Sequence, residues 1–160
     1  MKLFCDEMLI KLGRWLRVAG YDTLIARHGM SDRQIIEQAR DENRHLITRD
    51  RKLMEFRNAA ATVVLLECNL MDHCLEEVTR KLNINWLNRP FSRCLNCNTL
   101  LVAASDVQCQ QLAGFLKKTG SDINYCPVCN QLFWEGCHVR RMRNKLEYFS
   151  ALFGENTVDY

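Results

Sequence analysis

The chain has little of what marks several common protein classes. It holds no run of about 18 apolar residues, so no membrane-spanning helix is expected. Its first residues do not resemble a signal peptide, because Asp6, Glu7 and Lys11 interrupt the apolar ones. The seven glycines are scattered, which argues against a phosphate-cradling glycine loop, and no Ser/His/Asp arrangement stands out. Charge of one sign is also scarce. Against 22 Lys and Arg stand 19 Asp and Glu, a net of +3, so a nucleic-acid partner has to be argued from local patches. Internal repeats and low-complexity segments are absent. What remains is ordinary for a globular domain: 160 residues, 48% apolar and 26% charged, enough to bury a core without staples.

Nine cysteines are the exception, and an odd number does not suit a disulfide framework. Cys94-x-x-Cys97 and Cys126-x-x-Cys129 form two knuckles, the spacing of a tetrahedral four-thiolate Zn²⁺ site of structural type. Redox-active CxxC pairs are the bland alternative, and two pairs in one small module argue against it. Cys5, Cys68, Cys74, Cys109 and Cys137 lack partners at ligand spacing, and Cys5 and Cys68 read as small core residues. This usage places the chain in a reducing cytoplasm.

The first half alternates strand and helix. Leu3-Phe4-Cys5 is a short apolar run, followed from Asp6 to Ala19 by apolar residues at helical spacing. Tyr21 to Ala26 predicts a second strand. Ser31 and Gln34 form a capping box for a helix ending near Asn43. His45 to Thr48 predicts a third strand, with a short helix after Asp50. Ala61 to Leu66 predicts a fourth strand, and Met71 to Leu82 a further helix. Such alternation with short connections implies a parallel sheet covered by helices. Residues 1–82 are therefore read as an α/β domain and 83–93 as a linker. Residues 94–153 are read as a zinc ribbon ending in a basic amphipathic helix over Val139 to Phe153, with weak helical character over Gln108 to Lys118.

In a parallel sheet, ligands bind outside the carboxyl ends of the strands. Asp6 ends the first predicted strand, Asp50 ends the third, and Asp32 opens the helix after the second. All three fall on one rim. Each alone has a structural reading as a helix cap or a dipole partner. Crowded together they repel unless a cation is bound, and Mg²⁺ or Mn²⁺ suits such a carboxylate set. Glu37 is a further candidate, as are Asn69 and Asp72 after the fourth strand.

Three stretches resemble a PIN-like ribonuclease family named after the C-terminal region of the Mut-seven exonuclease. They are Met8 to Arg17, containing Arg14-Trp15-Leu16-Arg17, then Gly20-Tyr21-Asp22-Thr23, and Leu46-Ile47-Thr48-Arg49-Asp50. Arg93 to Asn98, Cys126 to Cys129 and Phe133 to His138 resemble the zinc ribbon that family appends. The resemblance implies a PIN-like parallel sheet and Mg²⁺- or Mn²⁺-dependent hydrolysis of RNA, with Asp6, Asp32 and Asp50 as the acids. The chain departs from broader PIN patterns after Leu66, where only Glu67, Asn69 and Asp72 are at hand.

Lys11, Arg14 and Arg49 lie near these acids in sequence, and His138, Arg140 and Arg141 open the last helix. All are candidates for substrate contacts, since arginines beside a metal rim suit a phosphodiester. Arg17 reads instead as part of a solvated helix face. Phe133 and Trp134 suit base stacking or packing on the knuckles. The leading reading is a metal-dependent ribonuclease whose ribbon extends the RNA-binding surface. Its rival is a non-catalytic RNA- or ribosome-binding module with a degenerate acidic rim, and a third is a protein-interaction module with a structural zinc. RNA is the expected partner, with a ribosome or an inhibitor protein also compatible. No membrane is implied, and the chain is either a monomer or a homodimer.

Overall fold

The computed structural model describes residues 1–57, 59–110 and 123–154. Four short strands, β1 (Lys2–Cys5), β2 (Asp22–Ile25), β3 (His45–Thr48) and β4 (Val63–Leu65), form an all-parallel sheet in the order β2-β1-β3-β4. Because side chains alternate along a strand, each central strand feeds both faces. Leu3, Cys5 and Ile47 enter one buried cluster, while Phe4, Leu46 and Val63 enter another on the opposite face.

The first face is covered by α1 (Ile10–Val18) and α3 (Met71–Leu82), the second by α2 (Asp32–Asp41). The bounds of α3 are those its periodicity predicts. The capping box of α2 is present, with Ser31 N–H donating to Gln34 Oε1 at 2.9 Å and Gln34 N–H donating to Ser31 Oγ at 3.3 Å. The helix predicted from Asp6 begins differently, as a 3-10 turn over Glu7–Leu9. Leu9 N–H donates to the Asp6 carbonyl at 2.9 Å, an i to i+3 bond that tightens this turn. A second 3-10 turn, Arg51–Glu55, stands where a short helix was expected after Asp50.

Downstream lie α4 (Asp106–Gln110) and a small antiparallel sheet of β5 (Val102–Ala103), β6 (Asn124–Tyr125) and β7 (Leu132–Phe133), in the order β5-β6-β7. The helix expected over Gln108 to Lys118 lies largely outside the described residues. The final helix, α5 (Cys137–Gly154), starts two residues before its predicted beginning at Val139.

Residues 83–93, read from sequence as a linker, are a packed part of the first domain. Ile84 and Trp86 are buried, Trp86 at 1% exposure, and Trp86 Nε1 donates to Thr79 Oγ1 at 2.8 Å. Gly20 closes α1 at φ +96°, and a Cβ there would lie 2.3 Å from the Arg89 carbonyl oxygen. A side chain at this position would meet both strain and backbone. Helix α5 sends Leu146, Phe149 and Phe153 into the cluster over α1 and α3, with the Phe149 ring centroid 5.3 Å from Trp15 and 5.5 Å from Trp86. The helix drawn with the ribbon thus completes the apolar face of residues 1–82.

Two readings need correction. Arg17 is not on a solvated face. It is 5% exposed, and its guanidinium donates to the carbonyls of Thr23 at 2.8 Å, Leu95 at 2.8 Å and Asn96 at 2.9 Å. Cys68 and Cys74, read as unpaired, are disulfide-bonded, since the first turn of α3 folds back on the end of β4 and brings their Cα atoms to 5.1 Å. This pairing removes part of the argument that placed the chain in a reducing compartment.

Candidate active site and metal centre

The strand ends set the site. Asp6 directly follows β1, Asp50 lies two residues past β3, and Asp32 opens α2 beyond β2. All three line one cleft of about 450 Å³, together with Glu7, Met8 and Arg27. The parallel register therefore brings together the three acids picked from sequence.

Their local bonds are specific. Asp6 is 8% exposed, its Oδ1 accepting from Glu7 N–H at 2.6 Å and its Oδ2 from the Thr48 hydroxyl at 2.7 Å. The same Thr48 oxygen accepts from Asp50 N–H at 2.9 Å, so a fully buried threonine joins two of the acids. Asp50 Oδ1 accepts from Lys52 N–H at 2.9 Å, a cap on the following turn. Both capping readings are thus correct locally, and neither prevents these carboxylates from facing the cleft.

The other candidates separate. Glu37 is exposed and pairs with Arg33 at 2.8 Å, and it is not among the residues lining the cleft. Asp72 is exposed in the first turn of α3. Asn69 lines a neighbouring cleft of about 360 Å³ with Arg49, Glu67 and Met8, the last of which lines both. Arg49 Nη1 donates to the Cys68 carbonyl at 3.2 Å, and its Nε is buried without a partner among the described residues. Lys11 and Arg14 are exposed on α1. His138, Arg140 and Arg141 are exposed at the start of α5 and do not line the acidic cleft.

Thr48, Glu7 and Arg27 were not singled out from sequence. Thr48 belongs to the quoted Leu46 to Asp50 stretch, but its role depends on the pairing of β3 with β1. Glu7 adjoins Asp6 and pairs with His28 Nδ1 at 2.7 Å; that hydrogen bond raises the His28 pKa above its ordinary value. Arg27 follows the end of β2, on the rim where ligands are expected.

The cysteine quartet lies elsewhere and is built differently. The Sγ atoms of Cys94, Cys97, Cys126 and Cys129 all lie within 4.8 Å of one another. Cys94 to Cys129 is 3.9 Å and Cys97 to Cys126 is 3.4 Å, close to the roughly 3.8 Å that tetrahedral Zn–S bonds of about 2.3 Å require. Burial raises the Cys97 thiol, but hydrogen bonds from Thr99 and the facing thiols outweigh it and bring it down to about 6. Hydrogen bonding with Cys97 pushes Cys129 up to about 12. Gathered thiolates repel one another, and a bound cation offsets that repulsion. This quartet can hold zinc. Among the described residues it is the only set of three or more candidate ligands so closely gathered. The acids of the cleft are spread more widely than these thiols.

The knuckles are tied to the base of the sheet. Asn98 Oδ1 accepts from Thr23 N–H at 3.0 Å and its Nδ2 donates to Asp22 at 2.7 Å, while Phe91 N–H donates to the Val18 carbonyl at 2.8 Å. Lys2 pairs with Asp22 at the start of β1 and β2, so the ribbon docks at the end of the sheet opposite the acidic rim.

Sheet order, acidic rim and four-cysteine module together define an α/β domain built on a four-stranded parallel sheet, with an appended ribbon. A family model described as the Mut7-C RNAse domain matches residues 1–146, and the chain belongs to that family. No curated protein matches, and no solved structure matches. No described helix is long and apolar enough to cross a membrane.

Proposed function

We propose that the protein is a metal-dependent ribonuclease acting at the acidic rim. The observation that carries this reading is the convergence of Asp6, Asp32 and Asp50 on one cleft in a chain of an RNase-domain family. The donor set is hard and anionic, and it fits Mg²⁺ or Mn²⁺. Such an ion supplies an activated water and neutralises charge on the phosphate under attack.

The chain's own residues do the rest. Thr48 holds Asp6 and Asp50 in fixed relation through its one hydroxyl. Arg27 sits in the same cleft and Arg49 lines the neighbouring one, both suited to the phosphates flanking the scissile one. Water attacks phosphorus, and the bond to the departing ribose oxygen breaks. In this reading the cysteine quartet holds a structural zinc and performs no chemistry, and the protein acts on cytoplasmic RNA.

A non-catalytic RNA-binding module is the second reading, and the wide spacing of the carboxylates favours it. Cleavage of single-stranded and structured RNA by zinc-loaded protein, with and without added Mn²⁺, separates the two. Cleavage that needs Mn²⁺ and vanishes in Asp50→Asn supports the ribonuclease. Tight, salt-sensitive binding without cleavage supports the module.

A further inference from the structure

A further cleft, of about 410 Å³, lies between the ribbon and α5 and shares no lining residue with the acidic one. Phe91, Phe133 and Trp134 give it aromatic walls, and Asn124, Glu135 and Arg143 line it with polar groups. Trp86 is at 1% exposure and Trp15 is half-buried against Phe149, whereas Trp134 is at 37%. A Cβ on Gly136 would lie 3.2 Å from Trp134 Nε1, so glycine leaves the indole room to lie against its own turn. Gly136 N–H donates to the Trp134 carbonyl at 2.8 Å and holds that turn. The Arg143 guanidinium lies over the Phe91 ring at 5.0 Å, which places a planar cation at the cleft wall.

Charge indicates the occupant. From His138 to Lys145 the helix carries Arg140, Arg141, Arg143 and Lys145 and no acid. Within the cleft Arg143 pairs with Glu135 at 3.5 Å, and Arg140 and Arg141 lie just outside its lining. An exposed aromatic suits a base face, an amide a base edge and the surrounding arginines the phosphates of a single strand. The cleft lies at the C-terminal end of α1, where Phe91 bonds Val18, and the acidic rim lies beyond its N-terminal end. The nine residues of α1 span about 14 Å. Exposed Lys11 and Arg14 lie along that span.

We propose that this aromatic cleft binds a base of single-stranded RNA away from the cleavage point, so that the protein favours strands long enough to occupy both ends. The preference for longer substrates rests on the ribonuclease reading; binding in the cleft does not.

The test uses zinc-loaded Asp50→Asn protein, expected to bind without cutting, and labelled single-stranded RNAs of about four and about twelve nucleotides. The longer RNA is expected to quench tryptophan fluorescence and to bind more tightly than the shorter. Trp134→Ala is expected to weaken binding about tenfold. Trp134→Phe is expected to keep most of the affinity while losing the quench. Unchanged affinity in a folded Trp134→Ala protein, or a quench that persists in Trp134→Phe, overturns the proposal. So does equal binding of a duplex of the same length. Wild-type protein that binds through Trp134 but never cuts leaves the cleft standing and removes the ribonuclease reading. Wild-type cleavage with Trp134-independent binding does the reverse.

Discussion

Two candidate metal sites stand at opposite ends of one small sheet. At the base, four soft thiols sit within 4.8 Å of one another and enclose a single point. At the rim, three hard carboxylates face a cleft of about 450 Å³ with room between them. A closed tetrahedral shell leaves no position for a substrate, whereas spread carboxylates leave positions for water and phosphate. The contrast also reaches into the backbone. The base is held by partners distant in sequence, such as Arg17 on Leu95 and Asn98 on Thr23. The rim mixes short local caps on Asp6 and Asp50 with three longer reaches, Thr48 to Asp6, Asp6 N–H to the Ile47 carbonyl and Glu7 to His28.

The largest effect should come from breaking the closed site. Cys94→Ser removes a zinc ligand, and structural zinc sites contribute about 10–16 kcal/mol of apparent binding energy to folding. An autonomous ribbon would unfold alone and spare residues 1–82. Arg17, Asn98 and α5 argue otherwise, since they tie the ribbon and its helix to the first domain's core. Thermal unfolding of the variant should therefore show the whole protein weakened by several degrees or more. A preserved transition for the first domain would break this coupling.

A smaller and sharper effect is expected at the rim. Thr48→Val keeps the shape of a buried side chain but leaves Asp6 Oδ2 and Asp50 N–H without their shared partner. Groups that orient metal ligands typically matter about 10- to 100-fold in metal affinity or activity. Mn²⁺-dependent cleavage should fall by that order while the zinc content stays at one per chain. Equal loss of zinc would mean that the two sites are not independent.

The smallest effect is a pH dependence at the base. Burial raises the Asp22 carboxyl, but hydrogen bonds from Arg44 at 2.8 Å and Asn98 at 2.7 Å outweigh it and hold its pKa below the usual range. A depressed folded-state pKa stabilises the fold above the unfolded value of about 3.9, and this contribution is lost as pH falls through the folded value. Wild type should thus lose stability on acidification below about pH 4 more steeply than Asp22→Asn. Urea unfolding of both proteins across that range reads the difference, and parallel curves would contradict it.

Much of the first half was legible because it is local. Short apolar runs and helical periodicity place the four strands and α3, and a parallel sheet then gathers Asp6, Asp32 and Asp50 whatever their separation in sequence. What was not legible depends on distant partners. Arg17 sits at solvated spacing on an amphipathic helix, and the carbonyls of Thr23, Leu95 and Asn96 bury it. Trp86 lies in a stretch with no periodicity, and its burial follows from the closing of α5 over α3. The Cys68–Cys74 pair depends on how α3 turns back on β4. Thr48 is a β-branched residue of the kind any strand holds, until the register sets it against Asp6.

The central claim is that the acidic rim holds a divalent ion independently of the zinc. Mn²⁺ binding followed by electron paramagnetic resonance on zinc-loaded wild type and Asp6→Asn/Asp50→Asn tests it most directly. Saturable Mn²⁺ binding that disappears in the double variant, with zinc content unchanged, is the predicted result. Mn²⁺ binding unaltered by the substitutions, or absent from a folded wild-type protein that still cuts RNA, would contradict it.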